Sequence, residues 1–125
     1  MNKYPQVLSA TTMIGDKVTS TEGEELGELK ELMIDLDNGR VSYAVLSFGG
    51  FLGLGDKLFA IPWDALTIDT EKHAFILAVD KEVLKNAPGF DKDHWPENAQ
   101  YEAGWLLDVY EYYGYSPYWM AERER

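Results

Sequence analysis

Asn38 and Gly39 stand between two strand-like stretches, and this arrangement restricts the fold more than any other feature of the chain. Aliphatic residues recur at every second position from 32 to 36, a period typical of a half-buried β-strand. The segment 40–48 is apolar on both faces and predicts a central strand, with Val41, Tyr43 and Val45 on one side and Ala44, Leu46 and Phe48 on the other. Because Asn and Gly both tolerate positive φ, the pair predicts a type I′ turn joining two antiparallel strands.

Further short strands are predicted on either side of this hairpin, at 14–20, 57–61, 66–70 and 74–79. Pro62 is expected to end the fourth strand and to begin a single helical turn. Asp80 is a predicted N-cap for a helix over 81–87, which Pro88-Gly89 would stop. Six short strands with tight turns predict a small, mainly β domain over residues 1–90, a six-stranded antiparallel β-barrel with short helices.

Residues 91–125 form a C-terminal extension that is acidic and rich in aromatic side chains. Tyr101, Trp105, Val109 and Tyr113 recur every four residues, which predicts an amphipathic helix ending at Gly114. Because aromatic rings bury much apolar area, this helix is expected to pack on something. The sequence favours its own barrel or a sister chain, and a separate partner protein is the alternative.

Four glycines (Gly49, Gly50, Gly53 and Gly55) precede Asp56-Lys57, but their spacing matches neither the phosphate loop of nucleotide enzymes nor the dinucleotide-binding pattern. A strand rather than a helix follows them, so they predict a sharp bend. Three apolar residues lie within the bend, namely Phe51, Leu52 and Leu54. They either plug an open end of the barrel or form an exposed patch that binds a partner.

The composition excludes several classes of function. The net charge is −11, with no basic segment, so binding to nucleic acid is not expected. There is no cysteine, and neither His73 nor His94 lies in a metal-binding or catalytic spacing. Asp35-x-Asp37 departs from the calcium-loop pattern after its opening positions. We therefore predict no catalytic, cofactor-binding or metal-binding residue. No apolar run approaches the ~20 residues of a membrane span, and residues 1–13 lack signal-peptide features, which predicts a cytoplasmic protein.

The ordered segments "TEGEELGELKELMIDLDNGRVSYAVLSFGGFLGLGDKLFAIPWDAL" and "FILAVDKEVLKNAPGF" closely resemble the PRC-barrel family over about residues 7–90. That family is named for the cytoplasmic domain of the photosynthetic reaction centre H subunit. It includes the C-terminal domain of the RimM-type ribosome maturation factor and many stand-alone bacterial proteins, whose C-terminal extension the tail here resembles. The resemblance implies a six-stranded barrel that acts as an adaptor and not as an enzyme.

On this basis the expected function is a non-catalytic, cytoplasmic protein–protein interaction module, homodimeric, with further protein partners unknown. The expected contact residues are Phe51, Leu52, Leu54, Trp105, Tyr113 and Trp119. The alternative is an accessory protein of photosynthetic electron transport that resembles the H subunit domain and associates peripherally with a membrane complex.

Overall fold

A computed structural model of the chain describes residues 4–49, 56–91 and 103–122. These residues form a mainly β fold with short helices, as the sequence predicts. The strands are β1 (Lys17–Ser20), β2 (Glu25–Asp35), β3 (Arg40–Gly49), β4 (Asp56–Pro62), β5 (Leu66–Asp69), β6 (Ala74–Leu77) and β7 (Gly89–Asp91). The helices are α1 (Ala10–Met13), α2 (Lys81–Lys85), α3 (Ala103–Tyr113) and α4 (Tyr118–Glu122), with a 3₁₀ turn at Trp63–Ala65.

All seven strands belong to one sheet, in the order β5-β6-β1-β2-β3-β4-β7. Five neighbouring pairs are antiparallel, whereas β1 and β6 run parallel. The predicted closure of six antiparallel strands into a barrel is not confirmed, because the sheet is mixed and no pairing within the described segments joins β5 to β7. Turn residues indicate hairpins between successive strands, but they carry no signal for a parallel pair so distant along the chain. β7 has only three residues, too few for a recognisable period.

The β2–β3 hairpin forms where Asn38-Gly39 predicts it, but the predicted type I′ turn is wrong. Gly39 has a φ of +67°, whereas Asn38 is not among the residues with positive φ. Residues 36–39 instead form a four-residue loop in which the Gly39 amide donates to the Asp35 carbonyl at 2.8 Å. The Asp35 carboxylate accepts from the backbone amides of Asp37 and Asn38, and these bonds replace the tighter turn.

The central strand β3 separates two apolar clusters, as its sequence predicts. Ala44, Leu46 and Phe48 face the main core, which also contains residues of β1, β2, β4, β6 and α2. Tyr43 and Val45 face a second core on the opposite side. Burial on both faces explains the nearly continuous apolar sequence of this strand.

Gly27 lies where β2 passes close to the backbone of β3. Its φ is +153°, and a Cβ atom at this position would lie 2.1 Å from the Ser47 carbonyl oxygen. Only glycine avoids this overlap, so Gly27 allows one long strand to pair with both β1 and β3.

Local signals at the other chain reversals are confirmed. Asp80 caps α2 by accepting from the Val83 amide at 3.1 Å. Pro62 directly precedes the 3₁₀ turn. Antiparallel pairing of β5 with β6 confirms the second predicted hairpin.

Candidate functional site

Helix α3 packs against the face of the sheet that carries Tyr43 and Val45. Val109 is buried with these two residues in the second core. Trp105 contacts the edge of the Tyr43 ring, with ring centroids 5.5 Å apart and planes at 70°. Gly114, with a φ of +84°, ends the helix where the sequence predicts. The four-residue aromatic spacing therefore directs one face of α3 onto the sheet of the same chain.

A buried hydrogen bond anchors α3 at an irregular point in β3. The pairing of β2 with β3 passes from Met33–Tyr43 directly to Ile34–Val41, so Ser42 has no register partner on β2. Tyr110 is 0% exposed, and its hydroxyl donates to the Ser42 carbonyl at 2.6 Å. A side chain of the C-terminal segment thus satisfies a buried carbonyl at the bulge.

Tyr118 attaches α4 to the base of the β2–β3 loop. Its hydroxyl donates to Asp35 Oδ2 at 2.5 Å. The Arg40 guanidinium lies over the Tyr118 ring, 3.7 Å from its centroid, and also forms an ion pair with Asp64 at 3.0 Å. The Trp119 ring contacts Tyr118 edge-on at 5.1 Å. We call Asp35, Arg40, Asp64, Tyr110 and Tyr118 the latch cluster, because they hold the C-terminal helices on the hairpin.

The environment of the latch cluster shifts the pKa values of its members. Burial alone would raise the pKa of Asp35, but hydrogen bonds from Tyr118, Asn38 and the Asp37 amide outweigh it and hold this pKa below its usual 3.8. Burial, assisted by the bond to Asp35, raises the pKa of Tyr118 to about 12. Burial likewise raises the pKa of Tyr110. At neutral pH the cluster therefore contains an ionised carboxylate that accepts from a neutral tyrosine.

Tyr112 and Tyr113 complete the attachment of α3 in two different ways. The half-exposed Tyr112 donates its hydroxyl to the Val83 carbonyl of α2 at 2.6 Å. The ring of Tyr113 packs against both cores, but its hydroxyl is buried without a hydrogen-bond partner in the described part of the chain. Burial raises the pKa of this hydroxyl as well. The apolar contacts of the Tyr113 ring must therefore offset an unsatisfied polar atom.

The six contact residues predicted from the sequence fall into two groups. Trp105, Tyr113 and Trp119 are half-buried and contact other residues of the same chain. Phe51, Leu52 and Leu54 lie outside the described residues. A role in partner binding stays a prediction for all six.

Sequence reasoning missed two exposed apolar residues where β2 runs into its loop. Leu32 packs against the main core, but Ile34 is 55% exposed and Leu36, in the loop, is 88% exposed. The alternation at 32, 34 and 36 predicts one half-buried strand face, but β2 ends at Asp35, so Ile34 reaches solvent at the end of the strand and Leu36 lies in the loop. A signal was present, because Leu36 is an apolar residue between two aspartates at a turn. We call Ile34 and Leu36 the hairpin patch.

The described residues offer no metal centre. Within segments 4–49, 56–91 and 103–122, no three His, Asp or Glu side chains are grouped so as to hold a metal ion. Asp35 is engaged by Tyr118 and by the loop. His73 lies in the loop between β5 and β6 with a φ of +54°. No helix of the described segments is long and apolar enough to cross a membrane.

The sheet and the helices packed on it form a small, mainly β fold, and the family of this fold can be assigned from the sequence. Residues 5–84 match the PRC-barrel domain, which is well over half of the chain. The chain therefore belongs to the PRC-barrel family.

Comparison with curated protein sequences gives no match. Among solved structures, the chain is similar to RimM of Pseudomonas aeruginosa, described as a 16S ribosomal RNA processing protein, with 18% identity and a TM-score of 0.42. The similar region covers 60% of this chain and 45% of that one. The chain thus spans less than half the length of that protein.

Proposed function

We propose that this protein is a non-catalytic adaptor that binds another protein, in the cytoplasm, through the tip of the β2–β3 hairpin. The exposure of the hairpin patch is the observation that carries the proposal. Single exposed apolar side chains are common on soluble proteins, so exposure alone means little. Ile34 and Leu36 differ because two exposed apolar residues fall within three positions of one hairpin, next to Leu32, which packs against the core.

The hairpin holds this patch in a fixed conformation. The Asp35 side chain and carbonyl accept four hydrogen bonds from loop residues 37–39, at 2.8 to 3.1 Å. Tyr118 and Arg40 then attach the base of the loop to α4 and to the 3₁₀ turn. A surface that is already ordered loses less conformational entropy on binding, which favours association.

The glycine-rich segment 49–55 remains part of the proposed contact surface through Phe51, Leu52 and Leu54. Trp105, Tyr113 and Trp119 support this surface indirectly, since they pack the C-terminal helices onto the sheet. The proposed association includes binding to a second copy of this chain, which would form a homodimer. No contact or charge in the described segments favours the photosynthetic accessory role over the adaptor role.

Matched acidic substitutions on two exposed apolar residues test this proposal. Leu36→Asp alters the hairpin patch, and Ile68→Asp alters an exposed residue of the outer strand β5. Each tagged variant is expressed in the native host, and the ratio of co-purified protein to tagged protein is measured by quantitative mass spectrometry. Light scattering on the purified variants measures the oligomeric state.

We expect Leu36→Asp to stay folded but to lose either a stoichiometric partner protein or the dimer. Ile68→Asp should retain the same association. A Phe51→Asp, Leu54→Asp double variant tests whether the glycine-rich segment belongs to the same surface. Equal association in wild type and all variants would contradict the adaptor role assigned to these surfaces.

A further inference from the structure

Asn38-Gly39 is also a site where the chain can react with itself. Asn38 is exposed at the tip of the hairpin, and Gly39 has no side chain to hinder attack on the preceding residue. When the Gly39 amide loses its proton, its nitrogen can attack Cγ of Asn38. This closes a five-membered succinimide and expels ammonia. Water then opens the ring at either carbonyl and leaves aspartate or isoaspartate at position 38. The net reaction consumes one water molecule, releases one ammonia molecule and needs no oxidant or reductant.

Hydrogen bonds within the hairpin loop engage both reacting groups. The Gly39 amide donates to the Asp35 carbonyl at 2.8 Å, a bond that favours the protonated, unreactive amide. The side-chain nitrogen of Asn38 donates to Asp35 Oδ2 at 2.8 Å, and its backbone amide donates to Oδ1 at 3.1 Å. The reaction therefore requires the loop to open locally before Cγ and the Gly39 nitrogen can meet.

We propose that Asn38 is a site of spontaneous deamidation and that Asp35 sets its rate by holding the hairpin loop closed. The same Oδ2 atom accepts from Tyr118, so the attachment of α4 and the closure of the loop share one acceptor. Detachment of α4 removes a bond that orders the Asp35 side chain and should accelerate the reaction. This inference is independent of the adaptor function.

Aspartate or isoaspartate at position 38 would also weaken the latch cluster. In the native protein Asn38 presents a donor to the Asp35 carboxylate. Deamidation replaces that donor with a second carboxylate, and two like charges in contact repel. Isoaspartate also adds a methylene group to the backbone of the loop. Both changes should loosen the hairpin and, through Asp35, the attachment of Tyr118.

The rate can be measured on the full-length protein. The purified chain is incubated in mildly alkaline buffer at physiological temperature, either native or unfolded in urea, and is then digested with trypsin. Cleavage after Lys30 and Arg40 releases the peptide Glu31–Arg40, which contains the whole reacting site. Mass spectrometry distinguishes the amide form from the two acid forms, and reversed-phase chromatography before it separates aspartate from isoaspartate, which have the same mass. We expect the native chain to react at least about tenfold more slowly than the unfolded chain, since several hydrogen bonds must open first.

Three variants separate the proposed causes. Asp35→Ala removes the side-chain acceptor of the loop but keeps the main-chain carbonyl that accepts from the Gly39 amide, so it should raise the native rate part of the way towards the unfolded rate. Tyr118→Phe leaves Asp35 in place and should raise the native rate by less. Gly39→Ala should slow the reaction in the unfolded chain, because a Cβ atom then hinders the attacking nitrogen. If Asp35→Ala does not fold, Tyr118→Phe alone tests the coupling.

Specific rates would overturn the proposed deamidation or the proposed role of Asp35. Equal rates in native and unfolded wild type, or no reaction even in urea, would overturn the proposal. Unchanged native rates in both folded variants would show that Asp35 does not control the loop. The melting temperature gives an independent readout of this coupling. Asn38→Asp should lower it more in the wild-type background than in the Tyr118→Phe background, where the bond to Asp35 is already absent.

Discussion

Three tyrosines of α3 lie in different environments, and replacing each of them with phenylalanine isolates the contribution of its hydroxyl group to stability. Tyr110→Phe removes a buried donor to the Ser42 carbonyl, and Tyr112→Phe removes a half-exposed donor to the Val83 carbonyl. Both hydrogen bonds are 2.6 Å long. Tyr113→Phe removes a buried hydroxyl that has no partner in the described segments. The substitution is identical in all three, so differences between them report the environment.

The expected magnitudes follow from what each substitution leaves behind. Tyr110→Phe leaves the carbonyl of a buried residue, Ser42, without its donor, which should cost about 1–3 kcal/mol. Tyr112→Phe should cost about 0.5 kcal/mol, because water can replace the lost donor at the exposed Val83. Tyr113→Phe should be neutral or stabilising, since it removes an unsatisfied polar atom and keeps the ring contacts.

Thermal unfolding followed by calorimetry or circular dichroism measures this series. For a chain of this length, 1 kcal/mol corresponds to a shift in Tm of roughly 3–5 °C, so Tyr110→Phe should lower Tm by roughly 3–15 °C. Urea unfolding provides the free energies at one temperature. Two results would refute the assignment of the Tyr110–Ser42 bond as the buried anchor of α3. One is an equal loss of unfolding free energy in Tyr110→Phe and Tyr112→Phe, and the other is a larger loss in Tyr113→Phe than in Tyr110→Phe.

Three further predictions concern charge and backbone. Because hydrogen bonds lower the pKa of Asp35 in the folded state below 3.8, its contribution is complete above the unfolded pKa and is lost as the pH falls through the folded pKa. Tyr118→Phe should therefore reduce the loss of stability between neutral and acidic pH, as measured by urea unfolding at each pH. The folded pKa of Tyr118 is raised from 10.0 to about 12, so its neutral form should stabilise the protein below pH 10 and that contribution should fall as the pH approaches 12. Ultraviolet titration should show alkaline unfolding beginning within this range, and simple ionisation of all tyrosines near pH 10 in a folded chain would contradict it. Gly27→Ala should cost roughly 3 kcal/mol or more, because its Cβ would meet the Ser47 carbonyl at 2.1 Å. Gly15→Ala, also at positive φ but with nothing within 4 Å, should cost only about 1–2 kcal/mol, and equal losses would show that the close approach is unimportant.

Local sequence patterns predict the parts of the fold that adjacent residues specify. The apolar faces of β3, the hairpin at Asn38-Gly39, the Asp80 cap and the end of α3 at Gly114 are each encoded within a few residues. Their physical causes are local, namely side-chain period, positive φ and hydrogen bonds to nearby amides. The parallel pairing of β1 with β6 has no such local cause, and the sequence alone does not predict it.

The latch cluster depends on contacts that are remote along the chain. Tyr110 and Ser42 are separated by 68 positions, and Tyr118 and Asp35 by 83. The spacing of aromatic residues predicts that α3 packs, but it does not indicate which carbonyl or carboxylate its hydroxyl groups reach. The exposure of Leu36 has a local signal in its two flanking aspartates, but alternation alone does not reveal it, because alternation shows which residues share a face and not where the core beneath that face ends.

The adaptor role can be tested most directly by site-specific photo-crosslinking in the native host. A photoreactive amino acid is placed at Leu36, in the hairpin patch, and in a matched strain at Ile68 on the outer strand β5. We expect a discrete adduct from position 36, either with one other protein or with a second copy of this chain, and no such adduct from position 68. Absence of an adduct at position 36, or the same adducts from both positions, would contradict the proposed contact surface.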